Sequence, residues 1–497
     1  MDVQMPKQVV SFLRPVLRRM AFTSFNRISA LMALAGFLWI LFQSAHGING
    51  DEIGSDAGQN LQSALNLVGH GVYGEGVFEG IPEHGFRREP FPNVLLAIHL
   101  LISSWFVPGM DFTQAHQDQD FLRIAKGVNV SYVAVLLGGL WILLRRLIRP
   151  EFIADGLSLV LFFFVDRYFI QFEINDLNTE LPASACLVWV SLLLVLAHQQ
   201  GRGRWLMASG LGFGLLVLTK ASGAYVALVA IPVLAFYLHC KAPYFLRTFA
   251  LISLGFALAV LPWVVRNSRH FNRPVIAQGG GDVLLIRSSF NTMTPEEYRN
   301  SFYAYAPVIV RDHVLGPSMS LSENDFECGY ALDRFNRNLP CDRLALEENR
   351  YQDVRSFYQI GKRALPSSMG LLRDEKQAVA LKRIRENPLQ HILVSVPMAW
   401  RGLWSFAKVK YWLGTGLNFF AYASMFVAVV LGIVQKKFIW LAISIIPAGY
   451  FLFYAFLSHF IPRYSEPMIP LAFVCMSVLG VAIASQCLPS SFGRLRF

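Results

Sequence analysis

Charge is scarce. Lys, Arg, Asp and Glu make up 15% of the 497 residues, against about 25% in an ordinary soluble domain. Cysteine is sparse too: of six, Cys186, Cys240, Cys475 and Cys487 lie in or beside apolar runs. No close Cys/His cluster offers the spacing of structural zinc. Alternating strand patterns are missing, which argues against a membrane barrel. No HExxH, GxSxG or heptad pattern is present. The glycine triplet at 279–281 lacks the lysine-serine ending of a phosphate loop, so a nucleotide site is not expected. The apolar runs hold few internal charges, unlike those of an ion- or proton-coupled carrier.

What is abundant is apolar. Hydrophobic residues reach 54%, with 40 Phe, 17 Tyr and 10 Trp, and mean hydropathy is +0.42. Many stretches approach the ~20 residues needed to cross ~30 Å of hydrocarbon. Helices satisfy their own backbone groups there. The expected fold class is therefore all-α, a polytopic membrane bundle of about 10–12 transmembrane helices with interfacial helices in the outer loops. Candidate spans are 27–44, 126–144, 150–168, 181–198, 206–219, 222–238, 245–264, 413–434, 438–457 and 466–486. Two further runs, 91–107 and 391–407, are ambiguous.

The net charge of +11 would suggest nucleic acid as a partner of a soluble protein. Here the basic residues fall in short turns and tails, so orientation in the bilayer is the simpler cause and no nucleic-acid partner is expected. The opening PKQVVSFLRPVLRRM is basic, lacks a clear cleavage site, and leads into an apolar run that reads as retained. Lys and Arg in short loops face the cytoplasm. Arg14, Arg18, Arg19 and Arg27 put the start inside. If runs 91–107 and 391–407 are interfacial or re-entrant, Arg145, Arg146, Arg149, Arg202, Arg204, Lys241, Lys436, Lys437, Arg494 and Arg496 all fall on that same side. The polar segments 45–90, 169–180, 265–412 and 458–465 then share the outer side. Three regions follow: residues 1–270, an N-terminal membrane part whose loop 45–90 forms the catalytic side; 271–390, an outer loop or small helical subdomain; and 391–497, the C-terminal spans.

On the outer side, Asp56 precedes LQSALNLVGHGVY, an amphipathic helical pattern. A carboxylate there suits a helix N-terminus, and helix capping is its commonest role. Asp51 and Glu52 are weaker candidates. RREP at 87–90 supplies two guanidinium groups. In QFEINDLNTELPA the acids are Glu173, Asp176 and Glu180, and boundary acids are functional candidates. Lys220 divides two short apolar helices, where a cation can snorkel or meet an anionic headgroup. Cys328 and Cys341 share a polar segment; they pair only if that segment lies outside the cytoplasm, and two free thiols are an equal alternative. FNTMTPEEYRN reads as a turn and helix start, and RDEKQAVALKRIRENP as a helix ending before proline.

Four landmarks then fit a known pattern. SDAGQNLQSALNLVGHGVYG followed by RREPFP, PWVVRN followed by RPVIAQGGGDVLL, RENPLQHIL, and IPRYSEPMIPL resemble, in order, segments of the GT-C membrane glycosyltransferases. That superfamily includes protein O-mannosyltransferases and lipid A aminoarabinose transferases. The resemblance implies an enzyme of the bacterial inner membrane with its site facing the periplasm. It implies a polyprenyl-phosphate-linked sugar donor, and an acceptor that is a protein hydroxyl, lipid A or a lipid-linked glycan. Asp56 would be catalytic, with a second acid at Glu180, or Glu173 as runner-up. Donor-phosphate cations would be Arg87 or Arg88, Lys220, Arg266 and Arg463, with Tyr464 and His459 assisting. Asn60 stands where relatives often have Tyr, and the C-terminal soluble domain of several relatives is absent, which leaves the acceptor class open. No nucleotide leaves, so a divalent metal is not required; Asp51, Glu52 and Asp56 are the residues that could contribute ligands. No other cofactor is implied. A polysaccharide polymerase or ligase is the rival enzyme, and a lipid or sugar transporter the rival of another class.

Overall fold

A computed structural model describes residues 7–495 apart from 79, 108–111, 113–115, 117, 239–241, 279, 365–372, 406–410 and 488–493. Cys240, Lys241, Gly279 and Arg496 lie outside the described residues, as do the side chains of Arg14, Arg18 and Arg19. The α-helices of eight residues or more are α1 (Lys7–His46), α2 (Ser55–His70), α3 (Pro90–Phe106), α4 (Gln119–Lys126), α5 (Val128–Leu147), α6 (Glu151–Val165), α7 (Glu180–Gln200), α8 (Gly203–Val217), α9 (Gly223–Leu238), α10 (Ala242–Phe271), α11 (Gly280–Ser289), α12 (Pro295–Ala304), α13 (Pro340–Glu347), α14 (Arg373–Glu386), α15 (Pro388–Leu403), α16 (Trp412–Val434), α17 (Phe438–Leu457) and α18 (Ile469–Cys487). The protein is an all-α polytopic membrane protein.

Among the described residues, seven helices are long and apolar enough to cross a bilayer. The other expected spans are shorter: α6 and α8 have 15 residues and α9 has 16. A π-helical turn at Asp166–Ile170 and the turn Gln171–Glu173 extend α6 without a break. Burial is deepest in α7 and α17, so these form the bundle's centre, and α10 and α1 expose most of their apolar surface. That surface needs no polar cover when lipid is the solvent.

The two ends of the bundle differ in chemistry. At one end Arg145 donates to buried Asp155 through Nε at 2.7 Å and Nη2 at 3.0 Å, and Ser29 and Trp141 donate to the same carboxylate at 2.8 Å. Gln199 donates to the Arg146 carbonyl, and residues 148–149 pair antiparallel with 494–495. His198 packs against Phe438. The short basic turns with described side chains thus gather at this end.

At the other end the polar segments meet. Asn175 accepts from the Asn49 amide and donates to the Gly47 carbonyl. Lys126, fully buried, donates to the carbonyls of Asn49 and Asp51. Both ambiguous runs stay here. The Phe91 amide at the start of α3 donates to the Leu218 carbonyl, and His99, farther along, contacts the Ile124 carbonyl. Along α15, the His391 carbonyl accepts from Arg287, Trp400 donates to the Phe302 carbonyl, and Arg401 donates to the His459 carbonyl. Contacts near both ends of α15 to the same polar face describe a helix lying along that face, and α3 is held there through its first ten residues.

The polar segment between α10 and α15 packs on α15. Thr294 and Glu297 form a reciprocal capping box at the start of α12, as the sequence there suggests. Arg287, fully buried, bolts α11 to α15 by donating to Asn291, the His391 carbonyl and Ser395. Cys328 and Cys341 form a disulfide, so of the two readings of these thiols the paired one is found.

Candidate active site

Helix α2 begins after Gly54, whose side chain can supply no cap, and ends at Gly71 in the left-handed region with φ 67°. Glycine is favoured there because it carries no Cβ. Asp56 is thus in the first turn but is not the capping residue. Its two oxygens go elsewhere: Arg88 Nη2 lies 2.9 Å from Oδ1 and Arg463 Nη2 2.8 Å from Oδ2. The same Arg463 places Nε 3.3 Å from Glu180 Oε1, and Lys220 Nζ lies 3.1 Å from that oxygen. Five groups from five separated segments form one chain: Arg88, Asp56, Arg463, Glu180 and Lys220.

Each segment aims its residue for a local reason. Glu180 is the first residue of α7 and is almost fully buried; the helix N-terminus favours its charge. Lys220 sits in the turn between α8 and α9. That turn is pinned by Glu89, which accepts from the Ala221 amide at 3.2 Å. Arg463 and Tyr464 lie in a 3₁₀ turn, Pro462–Tyr464, and a second one follows at Glu466–Met468. The turn is anchored by Phe460, fully buried with φ 26°, against Phe451 and Tyr454. α15 approaches it through Gly402, where any Cβ would collide with the Phe460 ring. Strained backbone held by surrounding packing is common at functional sites. Tyr464 stacks on Tyr454 at 5.0 Å, beneath the Lys220 ammonium at 6.0 Å from the ring. The Tyr454 hydroxyl pairs with Ser222 at 2.8 Å.

Burial alone would raise the Asp56 carboxyl, but the guanidiniums of Arg88 and Arg463 outweigh it and hold it below the usual range. Asp56 is therefore ionised at neutral pH. His459, expected to assist phosphate binding, carries no charge. Burial, and then the charges of Arg401, Arg337, Arg463 and Lys362, lower it to about 3, so it is a neutral ring. It packs against Tyr358 and Tyr464.

The remaining candidates separate. Of the adjacent arginines, Arg88 meets Asp56, whereas Arg87 is directed toward Glu75 at 4.0 Å. Glu180, not Glu173, contacts Arg463 and Lys220; Glu173 is buried in the short turn before it. Arg266 is not in the five-group chain. It donates to the Gly85 and Tyr73 carbonyls at 2.7 and 2.9 Å and lies over the Trp263 ring at 4.6 Å. There it borders a groove of about 550 Å³ lined by Leu67, Tyr73, Phe91, Leu218 and Trp263, among others. The groove adjoins the site through the consecutive residues Arg88 to Phe91. Asn60 donates to the Leu177 carbonyl at 2.8 Å and so ties α2 to the loop before Glu180. Glu89 and Tyr454 are additions that sequence reading missed; an acid next to two arginines was the signal for Glu89.

A metal does not fit this arrangement. Both Asp56 oxygens are occupied by guanidiniums. Asp51 accepts from the Asn49 side chain at 2.6 Å instead, and no group of three potential metal ligands gathers among the described residues.

Comparison with known proteins adds the following. No curated protein matched the sequence. The Archaeoglobus fulgidus oligosaccharyltransferase crystallised with zinc and sulfate is 12% identical, with TM-score 0.46, over 93% of this chain and 49% of that one. This chain thus spans about half the length of that structure. ArnT from Cupriavidus metallidurans bound to undecaprenyl phosphate is 14% identical, with TM-score 0.37, over 92% of this chain and 80% of that one. Residues 124–265 match the family described as dolichyl-phosphate-mannose-protein mannosyltransferase. In that region, α5 to most of α10, the chain is similar in sequence to a family of membrane glycosyltransferases of the kind its outer-loop motifs resemble.

Proposed function

We propose that the protein transfers a sugar from a polyprenyl-phosphate-linked donor to an acceptor hydroxyl, at the membrane face where the polar loops meet. The observation that carries this reading is the chain Arg88–Asp56–Arg463–Glu180–Lys220, two carboxylates interleaved with three cations beside an apolar groove. A lipid phosphodiester needs apolar space for its chain and fixed cations for its phosphate. The groove supplies the first. Arg266 at its rim, with Arg88 and Arg463 nearby, supplies the second.

The reaction is an inverting single displacement. The acceptor oxygen attacks the anomeric carbon, the bond from that carbon to the phosphate oxygen breaks, and lipid phosphate leaves with the electron pair. The acceptor proton passes to Asp56. Preplaced guanidiniums stabilise charge growing on the phosphate, and Arg offers a planar fork of donors for it. An Asp56 held by two arginines is a weak base. A donor phosphate that draws Arg463 and Arg88 onto its own oxygens releases the carboxylate, so donor binding raises its basicity when a base is needed. Glu180, itself fixed by Lys220, tethers Arg463 during that exchange.

The face is assigned outside the cytoplasm, in the periplasm of a bacterial inner membrane. Two observations support it. The turns whose basic residues are described gather at the opposite end, as cytoplasmic turns do. The Cys328–Cys341 disulfide belongs to the site's face, and disulfides persist in oxidising compartments. The test is to incubate the purified protein in nanodiscs with a polyprenyl-phosphate sugar and an envelope lipid and protein extract, following release of polyprenyl phosphate. Mass spectrometry then identifies the species that gained the sugar. Release and an added sugar mass are expected; neither appearing with well-folded protein overturns the reading.

A further inference from the structure

A second set of cations stands around His459, which packs on Tyr464, and the transfer reading does not use it. Arg401 on α15 lies over the Tyr305 ring at 4.6 Å and donates to the His459 carbonyl at 3.0 Å. Lys362 lies over the Tyr358 ring at 5.4 Å, and Tyr358 packs on the His459 ring at 5.5 Å. Arg337 is tied to the same segment: the Gln359 side chain donates to its carbonyl at 2.8 Å. None of the three cations pairs with a carboxylate among the described residues, whereas Arg88, Arg463 and Lys220 all do. Two buried polar atoms here also lack a hydrogen-bond partner, His459 Nδ1 and the Tyr305 hydroxyl. Buried polar groups are normally satisfied, so these two atoms, beside three cations with no carboxylate partner, describe a place prepared for an anion. Crowding of positive charge is also felt by His459, whose ring is held neutral partly by Arg401, Arg337 and Lys362.

The geometry points to a second, anion-binding site formed by Arg337, Lys362, Arg401, Tyr305 and His459, which takes the phosphate headgroup of a membrane lipid that serves as the acceptor. A lipid is favoured over a free anion because of the neighbouring helix. α15 carries Arg401, and on its outward side Leu389, Ile392, Leu393 and Val396 are exposed in a helical stripe. This helix lies along the site's face, so its apolar stripe meets the bilayer and a lipid reaches the cations laterally. Tyr464 touches both cation sets: the Lys220 ammonium lies over its ring at 6.0 Å and the His459 ring packs edge-on at 5.6 Å. A headgroup bound at His459 is one side chain away from Arg463, the neighbour of Tyr464 in the same turn and the partner of Asp56. The role as acceptor rests on the proposed transfer; binding of the lipid does not.

The experiment uses the full-length protein in non-ionic detergent micelles and a fluorescent phosphatidic acid, with anisotropy as the readout. Fluorescent diacylglycerol is the uncharged control, and inorganic phosphate is the competitor. The Arg337→Gln/Lys362→Gln variant removes two exposed cations with little effect on packing, and its melting curve checks the fold. Arg266→Gln separates the contribution of the groove. Phosphatidic acid is expected to bind, diacylglycerol to bind at least tenfold more weakly, and the double variant to lose roughly tenfold in affinity, as removal of charge-assisted hydrogen bonds implies. Unchanged affinity in the folded double variant overturns the site. Competition by inorganic phosphate as effective as by phosphatidic acid overturns the lipid assignment. Cation-dependent lipid binding without any sugar transfer leaves the site standing and rejects the transfer reading alone.

Discussion

Arg463 and Asp56 are 407 residues apart in sequence and 2.8 Å apart in the fold. The pair joins the start of α2 to the turn between α17 and α18 and links Arg88 to Glu180 through one chain of contacts. If Asp56 is the base, Asp56→Asn keeps size and one acceptor oxygen but loses the charge. Turnover is expected to fall roughly 100-fold or more, within the range for general-base loss, while the melting temperature falls only as far as loss of the ion pairs to Arg88 and Arg463 requires and the protein stays folded. Arg463→Lys keeps charge without the fork and should lose less than Arg463→Ala. Radiolabelled donor consumption measures both, and near-normal turnover by folded Asp56→Asn removes this residue from catalysis.

The lowered Asp56 carboxyl gives a pH prediction. A carboxylate depressed in the folded state contributes stability that is complete above its unfolded pKa, about 3.9, and is lost as pH falls through the lower folded value. The pair should therefore survive throughout the mildly acidic range. Arg88→Gln removes one cause of the depression, so the acid-side loss of both stability and activity should move to higher pH. Melting curves and rates measured across the acidic range test this; identical acid limbs contradict it.

Glu180 and Lys220 are buried, with 1% and 9% of their side chains exposed. Removing one partner of such a pair costs roughly 3–5 kcal/mol because the other charge stays buried. Glu180→Gln should thus destabilise strongly, and adding Lys220→Met should restore much of the loss. Thermal denaturation in detergent reports the coupling. Additive effects of the two substitutions would mean that the pair does not share its desolvation cost.

Sidedness is checked by single cysteines in a background lacking the native free thiols. Asn178→Cys and Ser322→Cys should react with an impermeant maleimide in intact cells whose outer membrane is breached. Lys436→Cys should react only after the inner membrane is opened. Labelling of Asn178→Cys solely from the cytoplasm would reject the outer assignment.

Sequence alone determined the class of this protein. Hydropathy is a local property, and a bilayer rewards it residue by residue, so the expected spans coincide with helices to within a few residues at most ends. The basic turns were legible the same way, as charges beside each span, and the described ones meet at one end of the bundle. Asp56, Glu180, Lys220 and Arg463 were also visible, as charges at the edges of apolar runs. Tertiary structure decided what sequence could not. Arg88 and not its neighbour Arg87 faces Asp56, Glu180 and not Glu173 meets Arg463, and Cys328 pairs with Cys341. His459 became a neutral ring and Arg266 a clasp on the groove's rim. Such choices depend on which charge lies within a few ångströms and how much water remains between, and Coulomb energy at those distances is fixed by packing of segments hundreds of residues apart.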